Sequence, residues 1–234
     1  MTDLTFPPLM HGRPVTAGAM AEAARQARLG CDAGLVTYAL GPDVVEAALV
    51  FAPEVPLSRA LSMLPLCAVG FQNAFGALAP PEVAVHLEWA GGIRVNGASC
   101  GQLRVAASDR DPSAIPDWLI VAVSVPLLPD LEDMGTVPDR TVLYAEGCAE
   151  VDPGHLVEAW SRHTLHWINR WEADGAAALH AEWRGLAHGM GESMTENGHT
   201  GVFLGVDEDF GMLLRDVNGE THLIPLSTLL ELDP

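Results

Sequence analysis

Within His86–Ser108, HLEWAGGIRVNGASCGQLRVAAS, five side chains could do chemistry. Cys100 offers a thiol, which becomes a nucleophile once ionised. His86 and Glu88 lie two apart in an alternating stretch and so share one strand face, where they could serve as an acid/base pair or touch a ligand. Arg94 and Arg104 are guanidinium donors suited to a carboxylate or a phosphate. Cations are otherwise scarce. All 12 basic residues of this 234-residue chain are arginine, against 31 acids, for a net charge of −19. With no lysine in the polypeptide, any mechanism that needs one from this chain is excluded. So acidic a surface repels phosphate backbones, so no nucleic-acid partner is expected. A basic protein partner remains compatible.

The elements around these residues can be read from pattern. Val83, Val85, Leu87 and Trp89 alternate with polar or small residues, as a half-buried strand requires. Gly91-Gly92 breaks that run. Asn96-Gly97 between IRV and ASC is a two-residue hairpin signal, because both residues tolerate positive φ. Its register sets Val95 opposite Ala98, Arg94 opposite Ser99 and Ile93 opposite Cys100. Cys100 then shares the apolar face with Ile93, and Ser99 the polar face with Arg94. That register favours a packing role for Cys100 over a nucleophilic one.

Elsewhere, residues 1–16 read as irregular, Ala17–Leu29 as a helix stopped by Gly30, and Gly34–Leu40 and Val44–Pro53 as strands joined at Gly41-Pro42. Pro56–Leu78 reads as a buried helix, and Asp117–Leu128 as a central strand. Residues 129–140 read as an acidic loop. Asp152 caps a helix with Pro153 in its first turn and Gly175 at its end. Its apolar stripe is Leu156, Trp160, Thr164, Trp167, Ile168 and Trp171. After His180 short strands and turns suggest a small SH3-like barrel. No apolar run reaches the ~18 residues of a membrane span, and the N-terminus lacks the pattern of a signal peptide, so no membrane association and a cytoplasmic location are expected.

Other chemistry-bearing residues read as structural. Cys31, Cys67, Cys100 and Cys148 have no CxxC spacing and are expected to be reduced, so no metal site is expected from them. His163 and His166 are three apart on the long helix, without a carboxylate or thiol ligand nearby in sequence. Asp207-Glu208-Asp209 lacks the glycine and distal glutamate of a calcium loop and reads as a hairpin turn.

The order of these segments resembles the biotin/lipoate protein ligase family, over roughly residues 30–232. LEWAGGIRVNG resembles the family's Lys-Trp-Pro-Asn-Asp-Ile strand-turn, with Trp89 and Ile93 kept. GASCGQLR resembles the lysine-glycine segment after it, and DWLIVAVSV the Gly-Ile-Gly-Ile-Asn strand. TVLYAEGCAEVDPGHLVEAW resembles the stretch leading into the last large helix. EWRGLAHGMGE and TGVFLGVDEDFGMLLR resemble the C-terminal domain of biotin ligases. The resemblance implies an α+β fold: a mixed β-sheet flanked by helices over residues 1–179, with a small C-terminal SH3-like β-barrel over 180–234. It implies ATP-dependent activation of biotin or lipoate as an acyl-adenylate, and transfer to a lysine of a carrier protein.

The sequence departs from the family where the chemistry needs positive charge. The arginine-glycine loop is replaced by CDAGLVTYALGP, which keeps Gly34 but no arginine. Glu88 stands where the family has lysine, a change of two charge units. Ser99 stands in place of the second lysine, and Ser124 and Pro126 replace the glycine and asparagine of the strand. Losing one preorganised donor typically costs about 3 kcal/mol of transition-state stabilisation. The expectation is therefore a binding relative for biotin, lipoate or an acyl group, without standard ligase activity. ATP and biotin or lipoate enter only if the family activity persists. The expected pocket residues are Glu88, Trp89, Gly91, Gly92, Arg94, Gly97, Ser99, Gly101 and Arg104. The alternative is an acyl, biotinyl or lipoyl transferase acting through Cys100. The expected partners are a small acyl-type ligand or an acyl or biotin carrier protein.

Overall fold

The computed structural model describes residues 4–129 and 139–231, so the acidic loop expected at 129–140 lies almost wholly outside the described residues. A seven-stranded mixed sheet forms the larger part. In chain order its strands are β1 (His11–Pro14), β2 (Leu35–Leu40), β3 (Val44–Phe51), β4 (Val85–Leu87), β5 (Gly92–Val95), β6 (Ala98–Ala107) and β7 (Leu119–Pro126). In space they run β1-β2-β3-β7-β6-β5-β4. Only the β1–β2 pair is parallel. The central strand β7 is almost entirely buried, which explains its continuous apolar sequence LIVAVSVP.

Helix α1 (Ala19–Arg28) covers one face. Ala19, Ala23, Ala24 and Ala27 meet Ala48, Ala106 and Ala122 of the sheet, and these small side chains bring helix and strands close. The opposite face carries α2 (Leu57–Ala60), α3 (Met63–Leu78), α4 (Pro153–Asp174) and α5 (Ala177–Leu186). Asp152 caps α4 as expected, its Oδ1 accepting from the His155 N–H at 2.8 Å. Helices α3 and α4 pack tightly at Gly70: a Cβ there would lie 2.7 Å from Thr164 Oγ1 and 3.1 Å from the Thr164 nitrogen. Trp160 Nε1 donates to the Cys67 carbonyl at 3.1 Å, and Trp167 Nε1 to Asn73 Oδ1 at 2.8 Å.

A second, antiparallel sheet of four strands is the SH3-like unit: β8 (Ser193–Glu196), β9 (His199–Val206), β10 (Met212–Arg215) and β11 (Thr221–Ile224), in the order β11-β10-β9-β8. Phe203, Phe210, Met212, Leu214 and Ile224 point inward and belong to the same apolar cluster as the α3 side of the large sheet.

The structure corrects several readings. His11–Pro14 is a strand rather than irregular chain; all four residues are exposed, so no alternation betrays it. Helix α5 runs through residues 179 and 180, and its buried Leu179 and Trp183 are an i,i+4 pair overlooked in sequence. The 57–78 helix is interrupted at Leu61-Ser62, where Ser62 Oγ donates to the Arg59 carbonyl at 2.7 Å. By length and composition Leu57–Leu78, with mean hydropathy 1.4, is long and apolar enough to cross a membrane, contrary to expectation; 72% of its apolar window is buried in the fold.

Candidate functional site

The Asn96-Gly97 turn forms as expected, with φ of +50° and +91°. Val95 pairs with Ala98 and Arg94 with Ser99, but beyond them the register slips and Gly92 pairs with Gln102. Cys100 and Gly101 together therefore oppose Ile93, a β-bulge. Gly101 sits at φ +119°, and a Cβ on it would come within 2.5 Å of the Ser124 carbonyl. The bulge thus presses against β7, and only glycine fits. Cys100 and Ile93 are both fully buried.

The Glu88–Gly92 turn closes through the Glu88 N–H to the Gly92 carbonyl at 2.8 Å. It docks on β6 through the Leu103 N–H to the Gly91 carbonyl at 2.7 Å. Gly91, at φ +90°, permits this approach, since a Cβ would meet the Leu103 oxygen at 2.3 Å. The Glu88 carboxylate lies over Gly92 and accepts a hydrogen bond from Arg94 Nε. Arg94 also donates through Nη1 to the Gly97 carbonyl at 2.6 Å. Arg94 is thus held by its own hairpin, whereas Arg140, whose backbone bridges Ser99, is exposed and has no ion pair among the described residues. Arg104 is elsewhere and pairs with Glu231 at 3.3 Å.

Two further places where an anion could sit, among the described residues, lack a cation or are already filled. The link between Leu40 and Val44 is the tight turn Gly41-Pro42-Asp43, with no cation in it. Glu46, on β3, sends Oε2 to the N–H of Gly18 at 2.8 Å, so a carboxylate of the chain itself occupies the start of α1. Glu46 was overlooked in the sequence, although it is the one charge in the apolar strand VVEAALVF.

Trp89 is 5% exposed, and its Nε1 donates to the Phe210 carbonyl at 2.7 Å. The indole therefore fills core and joins the two sheets. The cavity beside it, between Glu88, Trp89, Gly91 and Trp183, measures about 10 Å³, room for one water at most. Glu88, Gly91, Gly92, Arg94, Gly97 and Ser99 are brought together on one hairpin, with Gly101 behind them in the bulge. The backbone of Ser99 is engaged with the returning chain, accepting from the Thr141 N–H at 2.8 Å. His86 faces Arg94 across the β4–β5 pair.

Burial raises the Cys100 thiol to a pKa of about 12, and the Glu146 carboxylate adds to that effect. A neutral thiol without solvent contact is a poor nucleophile. Labelling of the native protein with iodoacetamide at neutral pH is expected to leave Cys100 and Cys67 unmodified, while the half-exposed Cys31 reacts first. All four should react in denaturant; peptide mass mapping reads the difference, and early modification of Cys100 would contradict its burial.

A separate cavity lies at the far end of β3. It measures about 620 Å³, between Met10, Phe51, Val55, Met63, Ile168 and Trp171. Arg59 stands at its edge with its guanidinium 5.3 Å from the centre of the Trp171 ring. No carboxylate among the described residues pairs with Arg59. Glu54 and Glu172 also line the opening. This cavity was not foreseen, because its walls come from five separate stretches of chain.

Comparison with known proteins places this geometry. A family model described as the biotin/lipoate A/B protein ligase family matches residues 6–185. The chain belongs to this family. A second model, a domain of unknown function (DUF4444), matches residues 190–232. A biotin protein ligase-like protein of unknown function from Silicibacter sp. tm1040 is 61% identical, with a TM-score of 0.93 over 98% of this chain and 100% of that one. Biotin protein ligase from Aquifex aeolicus is 15% identical, with a TM-score of 0.74 over 96% and 97%. The Leishmania major biotin protein ligase in complex with biotinyl-5-AMP is 16% identical, with a TM-score of 0.57 over 93% and 99%. At those two identities the likeness to the ligases is one of fold. No curated protein matches the chain.

Proposed function

We propose that this member of the biotin/lipoate ligase family binds a small apolar carboxylate and does not form an acyl-adenylate. The observation that carries the reading is the Glu88–Arg94 pair. The charge at the hairpin is neutralised internally, and the chain has no lysine to replace it. A nucleotide phosphate brought there would meet the Glu88 carboxylate, with the exposed Arg140 beside Ser99 as the one cation there, among the described residues, not held by the hairpin itself. The residues present do not fit ATP, and no adenylation step is assigned to them. Transfer through Cys100 is disfavoured by the same burial that raises its pKa.

The ligand site is assigned to the 620 Å³ cavity, whose volume suits a small amphipathic molecule. Its walls would take an apolar chain, and Arg59 would take the carboxylate. Biotin, lipoate and octanoate all have this form. Family membership also suggests a biotin or acyl carrier protein as the macromolecular partner.

Two measurements test the reading. Incubation with ATP and each acid should yield no biotinyl- or lipoyl-AMP; an adenylate detected by mass spectrometry would overturn the loss of activity. Calorimetry should find saturable binding of at least one acid, weakened about tenfold or more in Arg59→Ala, consistent with ~1.5–3 kcal/mol for a charged hydrogen bond. No heat with any of the three, or unchanged affinity in the variant, would remove the cavity assignment.

A further inference from the structure

The β10–β11 turn gathers groups that the ligand cavity does not use. Asp216 directly follows β10, Glu220 closes the turn, and His222 lies on β11. One ligand atom from each of the three lies within 4.8 Å of the others. The His222 Nε2 and Asp216 Oδ2 are 3.2 Å apart. A further ring arrives from another strand: His199, at the start of β9, stacks on His222 with centroids 4.6 Å apart and planes at 29°, which holds the His222 ring in place without adding a nitrogen to the group.

The sheet explains how β9 and β11 can meet across β10. His222 is opposite Leu214, and Leu214 opposite Phe203, so these three share the inward face. Gly201 and His199 follow Phe203 on that face at intervals of two. Gly201 has no side chain, and a Cβ there would strike the Arg215 carbonyl at 2.3 Å. The glycine therefore lets β9 close on the end of β10 and leaves a gap across which the imidazoles touch. The Asp216 and His222 side chains are 18% and 24% exposed, so the group is partly shielded at the rim of the small core.

We propose that Asp216, Glu220 and His222 form a binding site for a divalent transition metal of the zinc, cobalt or nickel class, with His199 as a positioning residue stacked on His222. One imidazole and two carboxylates, with water in the remaining position, are a donor set suited to these ions. The His222–Asp216 separation is close to that between neighbouring ligands on one ion, whose bonds are about 2.0–2.2 Å long. Asp216 already accepts from the N–H groups of Asn218 and Glu220 at 2.9 Å each, which fixes its carboxylate and leaves the Glu220 side chain to close in. The metal would staple the β10–β11 hairpin across its turn.

The test uses the full-length protein, stripped with chelator and titrated with zinc chloride by calorimetry, alongside cobalt chloride followed by visible absorption. One ion per chain is expected, with a rise in melting temperature that EDTA reverses. His222→Ala should weaken zinc binding at least about tenfold, whereas His199→Phe, which keeps an aromatic ring in the stack but removes its nitrogens, should bind nearly as tightly as the parent. Circular dichroism confirms that each variant is folded. Absence of saturable zinc and cobalt binding would overturn the site, as would zinc affinity unchanged in His222→Ala. A tenfold loss in the folded His199→Phe would overturn the positioning role given to His199.

Discussion

Replacing Trp89 with alanine is expected to destabilise the protein by about 3–5 kcal/mol, the usual cost of deleting a buried tryptophan. The side chain is 5% exposed, sits in the common apolar cluster, and holds the Phe210 carbonyl from 121 residues away. Phe210 itself occupies φ +62° and meets Trp183 edge-on with ring centroids 6.3 Å apart. Removing the indole opens a void between the sheets and leaves that carbonyl without its donor. Trp89→Phe separates the effects: most packing is kept, and the stranded acceptor alone costs about 1–3 kcal/mol. Equilibrium unfolding in urea measures both. A loss below about 1 kcal/mol for Trp89→Ala would mean that the ring is not core, and would return it to the role of a pocket wall.

Alkaline sensitivity is the second large effect. Burial raises the Cys100 thiol to about 12 and pushes Cys67 higher still, from an ordinary value of 9.0. Both pKa values are higher folded than unfolded. The stabilisation is therefore complete below the unfolded value and is lost as pH rises toward the folded one. Each thiol contributes a slope of about 1.4 kcal/mol per pH unit across that window. By pH 10.5 the two together remove about 4 kcal/mol, a large part of a typical domain's stability. The chain has no lysine, and the less buried thiols of Cys31 and Cys148, raised in the same direction, add to the decline. Urea unfolding at pH 7.5, 9 and 10.5 should show the decline, and a Cys67→Ala/Cys100→Ala variant should flatten it. An equally steep decline in that variant would refute the assignment.

What could be read from the sequence was local. Asp152, Pro153 and Gly175 delimit α4 because caps act within a few residues, and Asn96-Gly97 sets its hairpin because φ is a property of each residue. The apolar runs of β3 and β7 record burial on both faces. The readings that failed concern relations between distant segments. The bulge at Gly101 depends on contact with Ser124, which no spacing reveals. Arg94 and Glu88 were visible as charges, yet their mutual neutralisation depends on how the Glu88–Gly92 turn folds back. Trp89 was visible as an aromatic near the expected pocket. That it is committed to Phe210 follows only from how the small sheet docks. The fold was thus largely legible and the state of the site was not, because charge is countable in sequence whereas its pairing is a matter of geometry.

The Gly41-Pro42-Asp43 connection also bears on how much change this end of the sheet tolerates. Ring-closure entropy grows only logarithmically with length, by about 0.6 kcal/mol for each doubling. A segment inserted between Leu40 and Val44 therefore need not disturb the β2–β3 register, and the tip can lengthen while the rest of the polypeptide folds as before.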